Sequence, residues 1–110
     1  MTSDGIEAVF LETHNWGRMA KFLQDVGFAV EFETDHNSGQ FRSGDGPYVF
    51  VAEVPESSPT GVRLVLKATG TEGPGDGVEV LSEFEETHYG TTEMTVRDPD
   101  GRIWNLQAPR

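Results

Sequence analysis

The side chains able to do chemistry in this 110-residue chain are three histidines, 19 carboxylates and eight lysines and arginines; there is no cysteine. The missing thiol removes disulfide frameworks, thiolate zinc sites, iron–sulfur clusters and cysteine nucleophiles together. Histidine and carboxylate remain for metal ligation or proton transfer. His14 adjoins Asn15, His36 lies in a polar stretch with Asp35 and Asn37, and His88 precedes Tyr89-Gly90, so all three fall at strand ends or in loops and read as solvent-exposed. Glu12 shares a face with His14 only if its strand extends that far. Glu85 and Glu86 read as a solvated edge, because adjacent strand residues point to opposite faces. The sequence contains no Gly-rich phosphate loop, nucleophile elbow or HExxH helix.

The net charge of -11 bears on partners. A long-range negative field repels phosphate backbones and anionic lipid before short-range contacts can form, so nucleic acid and membrane surfaces are not expected partners. Hydrophobic residues make up 35% of the chain and glycine adds 13 residues, close to the globular norm and enough for a single domain. The segment Met1 to Ala8 carries Asp4 and Glu7 without a basic region, and no apolar run approaches the roughly 18 residues of a membrane span. These features predict a soluble, cytoplasmic protein.

The elements that must position the reactive groups follow from periodicity. Residues Ile6 to Thr13 read as a strand with apolar groups on both faces. Asn15 offers an N-cap, Met19, Phe22, Leu23 and Val26 recur at helical spacing, and Gly27 supplies the stop. Phe28, Val30 and Phe32 alternate against Ala29, Glu31 and Glu33 as a strand wet on one face, and short strands follow around Gln40 to Arg42 and Tyr48 to Ala52. Pro55 to Thr60 reads as a linker, after which the pattern restarts: strands over Val62 to Lys67, Val78 to Phe84, Thr91 to Arg97 and Ile103 to Gln107, with Asp98-Pro99-Asp100-Gly101 as a type I turn. Laying Gly27 to Glu31 over Gly77 to Leu81 brings the halves into phase with a period near fifty residues. They differ at one place, since residues 69–76, TGTEGPGD, oppose helix formation.

The run Arg97-Asp98-Pro99-Asp100-Gly101-Arg102-Ile103-Trp104-Asn105-Leu106, preceded by Tyr89-Gly90, resembles the last hairpin of the vicinal oxygen chelate superfamily, which includes glyoxalase I, extradiol dioxygenases and bleomycin-resistance proteins. Ala8 to Phe28 resembles its first strand and helix, with Val26-Gly27-Phe28 in place of the usual Leu-Gly-Phe. The resemblance covers nearly the whole chain. It implies one α+β domain over residues 1–110, built of paired βαβββ modules at about 5–54 and 61–108. These form a cupped, incompletely closed eight-stranded barrel, with the second-module helix reduced or missing.

In metal-dependent members of that superfamily, histidine and carboxylate hold a divalent ion that activates substrate. Carried over one by one, the ligand positions fall on Ala8, which has no donor, on Arg63, whose fixed charge repels a cation, and on Asn105, a weakly ligating amide. The fourth falls on Val51 or Glu53. The resemblance therefore implies neither a metal site nor another cofactor, and no catalytic residue. The expected ligand-binding residues are Phe10 and Glu12 on Ala8's face, Phe41 and Phe50 as aromatic surface, Arg63 with Lys67, Glu93, and Asn105. Trp104 and Leu106, on the face opposite Asn105, are expected in the core.

The leading expectation is metal-free binding of a small molecule, such as an antibiotic, similar to bleomycin-resistance proteins. The alternative is a metal-dependent lyase, isomerase or dioxygenase with relocated ligands such as Glu12, Glu53 or Glu93. A homodimer is expected, because loss of the second helix uncovers the face bearing Leu64, Leu66 and Val80.

Overall fold

The computed structural model describes residues 3–88 and 90–109, so Tyr89 of the Tyr89-Gly90 pair lies outside the described residues. The elements run β1 (Ser3–Thr13), α1 (Trp16–Asp25), β2 (Ala29–Glu33), β3 (Ser38–Arg42), β4 (Tyr48–Glu53), β5 (Val62–Ala68), β6 (Glu79–Glu86), β7 (Thr92–Arg97) and β8 (Ile103–Ala108). Residues 69–78 form bends and turns. The glycine and proline content there has removed the second helix, and the fold is α+β with one helix among the described residues.

The chain divides into two compact units, Ala8–Val62 and a second that combines the residues from Arg63 onward with those before Ala8. The first carries the strand order β2-β3-β4-β1 and the second β5-β8-β7-β6. In each, the first and last strands of the module pair in parallel and the other neighbours are antiparallel. The repeat read from the sequence is thus a repeat of topology, with β5 in the place of β1 and β8 in that of β4.

In the first unit, α1 starts where the Asn15 side chain accepts a hydrogen bond from the Arg18 N–H at 3.0 Å, the usual satisfaction of an orphan helix donor. It stops at Gly27, which takes φ +107, a conformation open to glycine and strained for other residues. The helix buries Ala20 and Leu23 against Phe41, Val49 and Val51, with Val9, Leu11, Trp16, Met19 and Phe28 packed around them. Phe22, expected on the buried stripe, is 55% exposed.

The strand β2 departs from its sequence pattern. Val30 pairs with Phe41 but Phe32 pairs with Gln40, so a bulge falls at Glu31. One extra residue reverses every later side chain, and Phe32 leaves the face of Val30 for the opposite one. As the end strand of its unit's order, β2 is exposed along its whole length.

The second unit packs Ala68, Met94, Val96 and Leu106 together, with Leu66, Phe84 and Trp104 around them. A Cβ placed on Gly73 would stand 3.8 Å from the Met94 methyl, so the helix-free segment itself runs over this cluster. Leu64 and Leu66 are half-buried, which corrects the expectation of an uncovered face there. Of that expected face Val80 is exposed, and Val78, Leu81 and Ile6 are exposed apolar side chains of the same unit.

The β7–β8 hairpin is closed by the predicted turn. The Gly101 N–H donates to the Asp98 carbonyl at 3.0 Å, and the Asp98 carboxylate accepts from Trp104 Nε1 at 3.0 Å and from the Asp100 and Arg102 N–H groups at 2.9 Å each. The Trp104 indole above all, and then the backbone donors, hold the Asp98 carboxyl below the ordinary aspartate range. A lowered folded-state value stabilises the protein above the ordinary value and ceases to do so as pH falls through the folded one. We expect Asp98→Asn to melt below the parent near neutral pH, and the gap to close on acidification below about pH 4. Thermal melts across that range check it.

Candidate functional site

Two sheet faces carry the residues singled out by sequence. In the first unit, β1 and β4 run in parallel with Phe10 beside Phe50 and Glu12 beside Ala52. Gln40 pairs with Phe50 and Phe32 with Gln40, so one row holds Phe10, Phe50, Gln40 and Phe32. The rings of Phe10 and Phe50 stack at 5.7 Å, and Phe32 tilts onto Phe50 at 6.2 Å. Phe32 was not foreseen, because the signal that placed it in the core was the alternation that the bulge interrupts.

Beside this row, Glu31 accepts from Gln40 Nε2 at 2.9 Å and from Arg42 Nε at 3.0 Å. Those bonds, Gln40 first, hold the Glu31 carboxyl below the ordinary glutamate range. Arg42 also lies over the Tyr48 ring at 5.5 Å. Glu31, Gln40 and Arg42 are thereby oriented beside the aromatic row.

Phe41 does not join this face. It pairs with Val49, whose neighbour Phe50 points the other way, and it is fully buried in the helix-side core, 5.7 Å from the Trp16 ring. Its expected place on the ligand surface is corrected by one position of strand register. Both candidates for the fourth ligand position are occupied in other ways. Val51 is fully buried in the helix-side core, and Glu53 is engaged elsewhere. The Glu53 carboxylate accepts from the Trp16 N–H at 2.9 Å and from Asn37 Nδ2 at 3.3 Å, tying the start of α1 to the end of β4. We expect Glu53→Ala to cost about 1 kcal/mol, as loss of a helix-start acceptor does, and Glu53→Gln distinctly less; urea denaturation measures both.

Glu12 is held against the linker. Its N–H donates to the Gly61 carbonyl at 3.0 Å, and a Cβ on Gly61 would stand 2.8 Å from its carboxylate. His14 Nε2 lies 2.7 Å from the Ser58 carbonyl, and His36 lies beside Asp35 at 3.1 Å on an exposed turn. Both histidines thus have local structural partners.

The second unit brings three of the expected residues into one hydrogen-bonded chain. Arg63 Nη1 donates to Asn105 Oδ1 at 3.3 Å, and Asn105 Nδ2 donates to Glu93 Oε1 at 2.8 Å. Glu93 Oε2 accepts from Thr91 Oγ1 at 2.6 Å, and the buried Thr91 hydroxyl lies 2.6 Å from that of Thr87. The Asn105 amide is fixed in one orientation, since flipping it would set donor against guanidinium and acceptor against carboxylate. Lys67 pairs with Gln107 on β8, with an exposed side chain.

An open cavity of about 280 Å³ adjoins this chain, lined by Asn105, Glu93 and Thr95 on one side and by Glu85, Glu86 and Thr87 on the other, with His88 at the loop. As expected from the sequence, Glu85 and Glu86 are exposed on β6, the end strand of its unit, and His88 is exposed in the loop that follows. Two bulges in β6 shape this wall of the cavity: the register runs Val80 with Val96, Ser82 with Thr95 and Glu85 with Glu93. The extra residues set Ser82 and Glu85, an odd number of residues apart, on one face.

No protein-family model matches the sequence, and no curated protein matches it. Solved structures do. A glyoxalase/bleomycin resistance protein/dioxygenase superfamily member from Vibrio splendidus 12B01 is similar at a TM-score of 0.70 and 20% identity, over 93% of this chain and 97% of that one. Methylmalonyl-CoA epimerase from Mycobacterium tuberculosis is similar at a TM-score of 0.73 and 13% identity, over 98% and 89%. The Mn(II)-bound glyoxalase from Novosphingobium aromaticivorans is similar at 0.74 and 16%, over 96% of this chain and 39% of that longer one. With the repeated module, the one helix and the closing hairpin already in view, these likenesses identify the fold as that of the vicinal oxygen chelate superfamily of glyoxalases, bleomycin-resistance proteins and dioxygenases.

Proposed function

We propose that this protein binds a small organic molecule, such as an antibiotic, without a metal ion, and that the guest is received on the sheet face around Asn105. The observation that carries this reading is the chain from Arg63 through Asn105 to Glu93. Arg63 and Asn105 stand at positions where the superfamily resemblance puts ion ligands. Here one is a cation, and the other is an amide with both ends engaged. Ala8 offers no donor, Val51 is in the core, and Glu53 serves the helix start. This donor set does not fit a divalent ion. Among the described residues, no three histidine, aspartate or glutamate side chains are placed to hold one.

Small-molecule pockets combine apolar area with a few oriented polar groups. The Phe10–Phe50–Phe32 row and the Asn105 cavity each supply such a surface. The reading extends to a cytoplasmic homodimer that binds neither nucleic acid nor membrane. Exposed Val80 and Leu81 support the second copy, the charge of -11 supports the absence of a polyanionic partner, and no described helix is long and apolar enough to cross a membrane. A monomeric mass by light scattering at micromolar concentration overturns the dimer.

Thermal-shift screening of the purified chain against drugs and aromatic metabolites, with elemental analysis, tests the whole. A guest at a hundredfold excess over its Kd stabilises by about 2.7 kcal/mol, a rise in Tm of roughly 10 °C at this chain length. Stoichiometric nickel, zinc, iron or manganese, removed by chelator with loss of stability, overturns the reading in favour of a metal-dependent lyase, isomerase or dioxygenase.

A further inference from the structure

We infer that the guest of the Asn105 cavity is an amino-carboxylate, carrying an anionic carboxylate and a cationic ammonium on one small molecule; this rests on the binding reading above. Leu64 pairs with Trp104 and Val65 with Asn105, so Arg63 starts on the strand ahead of the Asn105 row. Its guanidinium reaches along the sheet into that row, to Asn105 Oδ1. There it meets a neutral amide. Arg42, Arg97 and Arg102 each pair with a carboxylate and Arg18 is exposed to water, whereas Arg63 is half-buried and forms no such pair among the described residues, in a chain of 19 acids and eight bases. A guanidinium withdrawn from water without an anion is costly, and a carboxylate from a guest offsets that cost through a charge-assisted hydrogen bond.

The opposite charge waits at the other end of the same amide. Glu93 accepts from Asn105 Nδ2, and Glu85 stands directly across from it in register, a like-charge pairing that disfavours the empty sheet. Two hydrogen bonds of 3.3 and 2.8 Å and the width of one amide put Arg63 Nη1 and Glu93 Oε1 at most roughly 8 Å apart. The rigid amide keeps them from closing into a direct ion pair. A guest laid across Asn105 therefore finds a cation at one end and carboxylates at the other. An amine alone is attracted by Glu93 and Glu85 but repelled by Arg63, and a carboxylate alone meets the reverse. Only a guest with both charges satisfies both ends: its ammonium enters the cavity of about 280 Å³ between Glu85, Glu86 and Glu93, and its carboxylate extends past Asn105 to Arg63, which lies outside that lining and is bonded to its Asn105 edge.

The test titrates the full chain with ω-amino acids of two to six carbons and with L-phenylalanine, beside carboxylates and amines of matched length. Affinity is read by calorimetry and position by the Asn105 side-chain amide resonances. The expected result is that at least one amino acid moves those resonances and binds about tenfold more tightly than either single-charge analogue. Arg63→Gln is expected to cut its preference over the amine below about threefold, and Arg63→Lys to keep it. Equal binding of the amine, an unchanged preference in Arg63→Gln, or no member of the series moving Asn105 overturns the inference. If Arg63→Gln does not fold, the matched analogues on the parent chain decide it. A single-charge guest on these residues overturns this inference and leaves the binding reading standing; a stoichiometric metal overturns the reading itself.

Discussion

Phe41→Ala is expected to lower unfolding stability by about 3–5 kcal/mol, the usual loss when a buried aromatic is truncated and its cavity only partly collapses. Phe41 is fully enclosed, touches the Trp16 ring at 5.7 Å, and joins Ala20, Leu23, Val49 and Val51 in the core of the first unit. Domains of this size are stable by roughly 5–15 kcal/mol in all, so the variant approaches the unfolding threshold. Urea denaturation followed by tryptophan fluorescence measures the loss, and Phe41→Leu, which refills most of the volume, is expected to lose far less. The pair also separates the two places proposed for this ring. A residue on the ligand face would change guest affinity with little change in stability; Phe41 is expected to do the opposite.

Gly39→Ala is expected to cost about 1–3 kcal/mol, the range for overpacking, near its upper end. The added Cβ would stand 2.7 Å from the Phe32 carbonyl oxygen, 2.8 Å from Trp16 Cη2 and 3.3 Å from Glu33 Cα. Two of those three neighbours are backbone of β2, paired to β3 at Glu33 and Gly39, so relief requires the strand itself to move. Gly61→Ala is the control. Its Cβ meets the Glu12 carboxylate at 2.8 Å, the free end of a side chain that can swing away, and little loss is expected. Denaturation midpoints of the two variants, with the near-ultraviolet circular dichroism of Trp16 as a local reporter, decide whether the β2–β3 approach is as tight as described.

Local chemistry was legible in the sequence wherever one short stretch decides the outcome. The Asn15 cap, the Gly27 stop, the Asp98–Gly101 turn and the helix lost between β5 and β6 all follow from a few adjacent residues. Facing was legible only where strands run without interruption. On β8, Trp104 and Leu106 pack in the core on the face opposite Asn105, as read, and β1 and β4 set Phe10 beside Phe50. On β2 and β6 the bulges at Glu31 and between Val80 and Glu85 change which side chains share a face. A bulge is fixed by the partner strand, which the periodicity of a single strand does not contain. That is why the sequence did not show Phe32 beside Phe50 or Glu85 across from Glu93. Gly39 illustrates the same limit, since its role is space for Trp16 and β2, groups distant in sequence.

The helix-free stretch over Met94 has a consequence for how this half of the molecule breathes. Residues 69–78 cover the methionine with bends, secured at their end by the Val78 N–H on the Gly75 carbonyl at 3.2 Å, where a helix would have supplied a cooperative ladder. Such a cover detaches in small steps well below the global unfolding free energy, and each step uncovers a thioether that is 2% accessible at rest. Mild peroxide would then reach Met94 at a rate set by the lifting of this flap, and conversion to the polar sulfoxide would wedge the flap away from its seat.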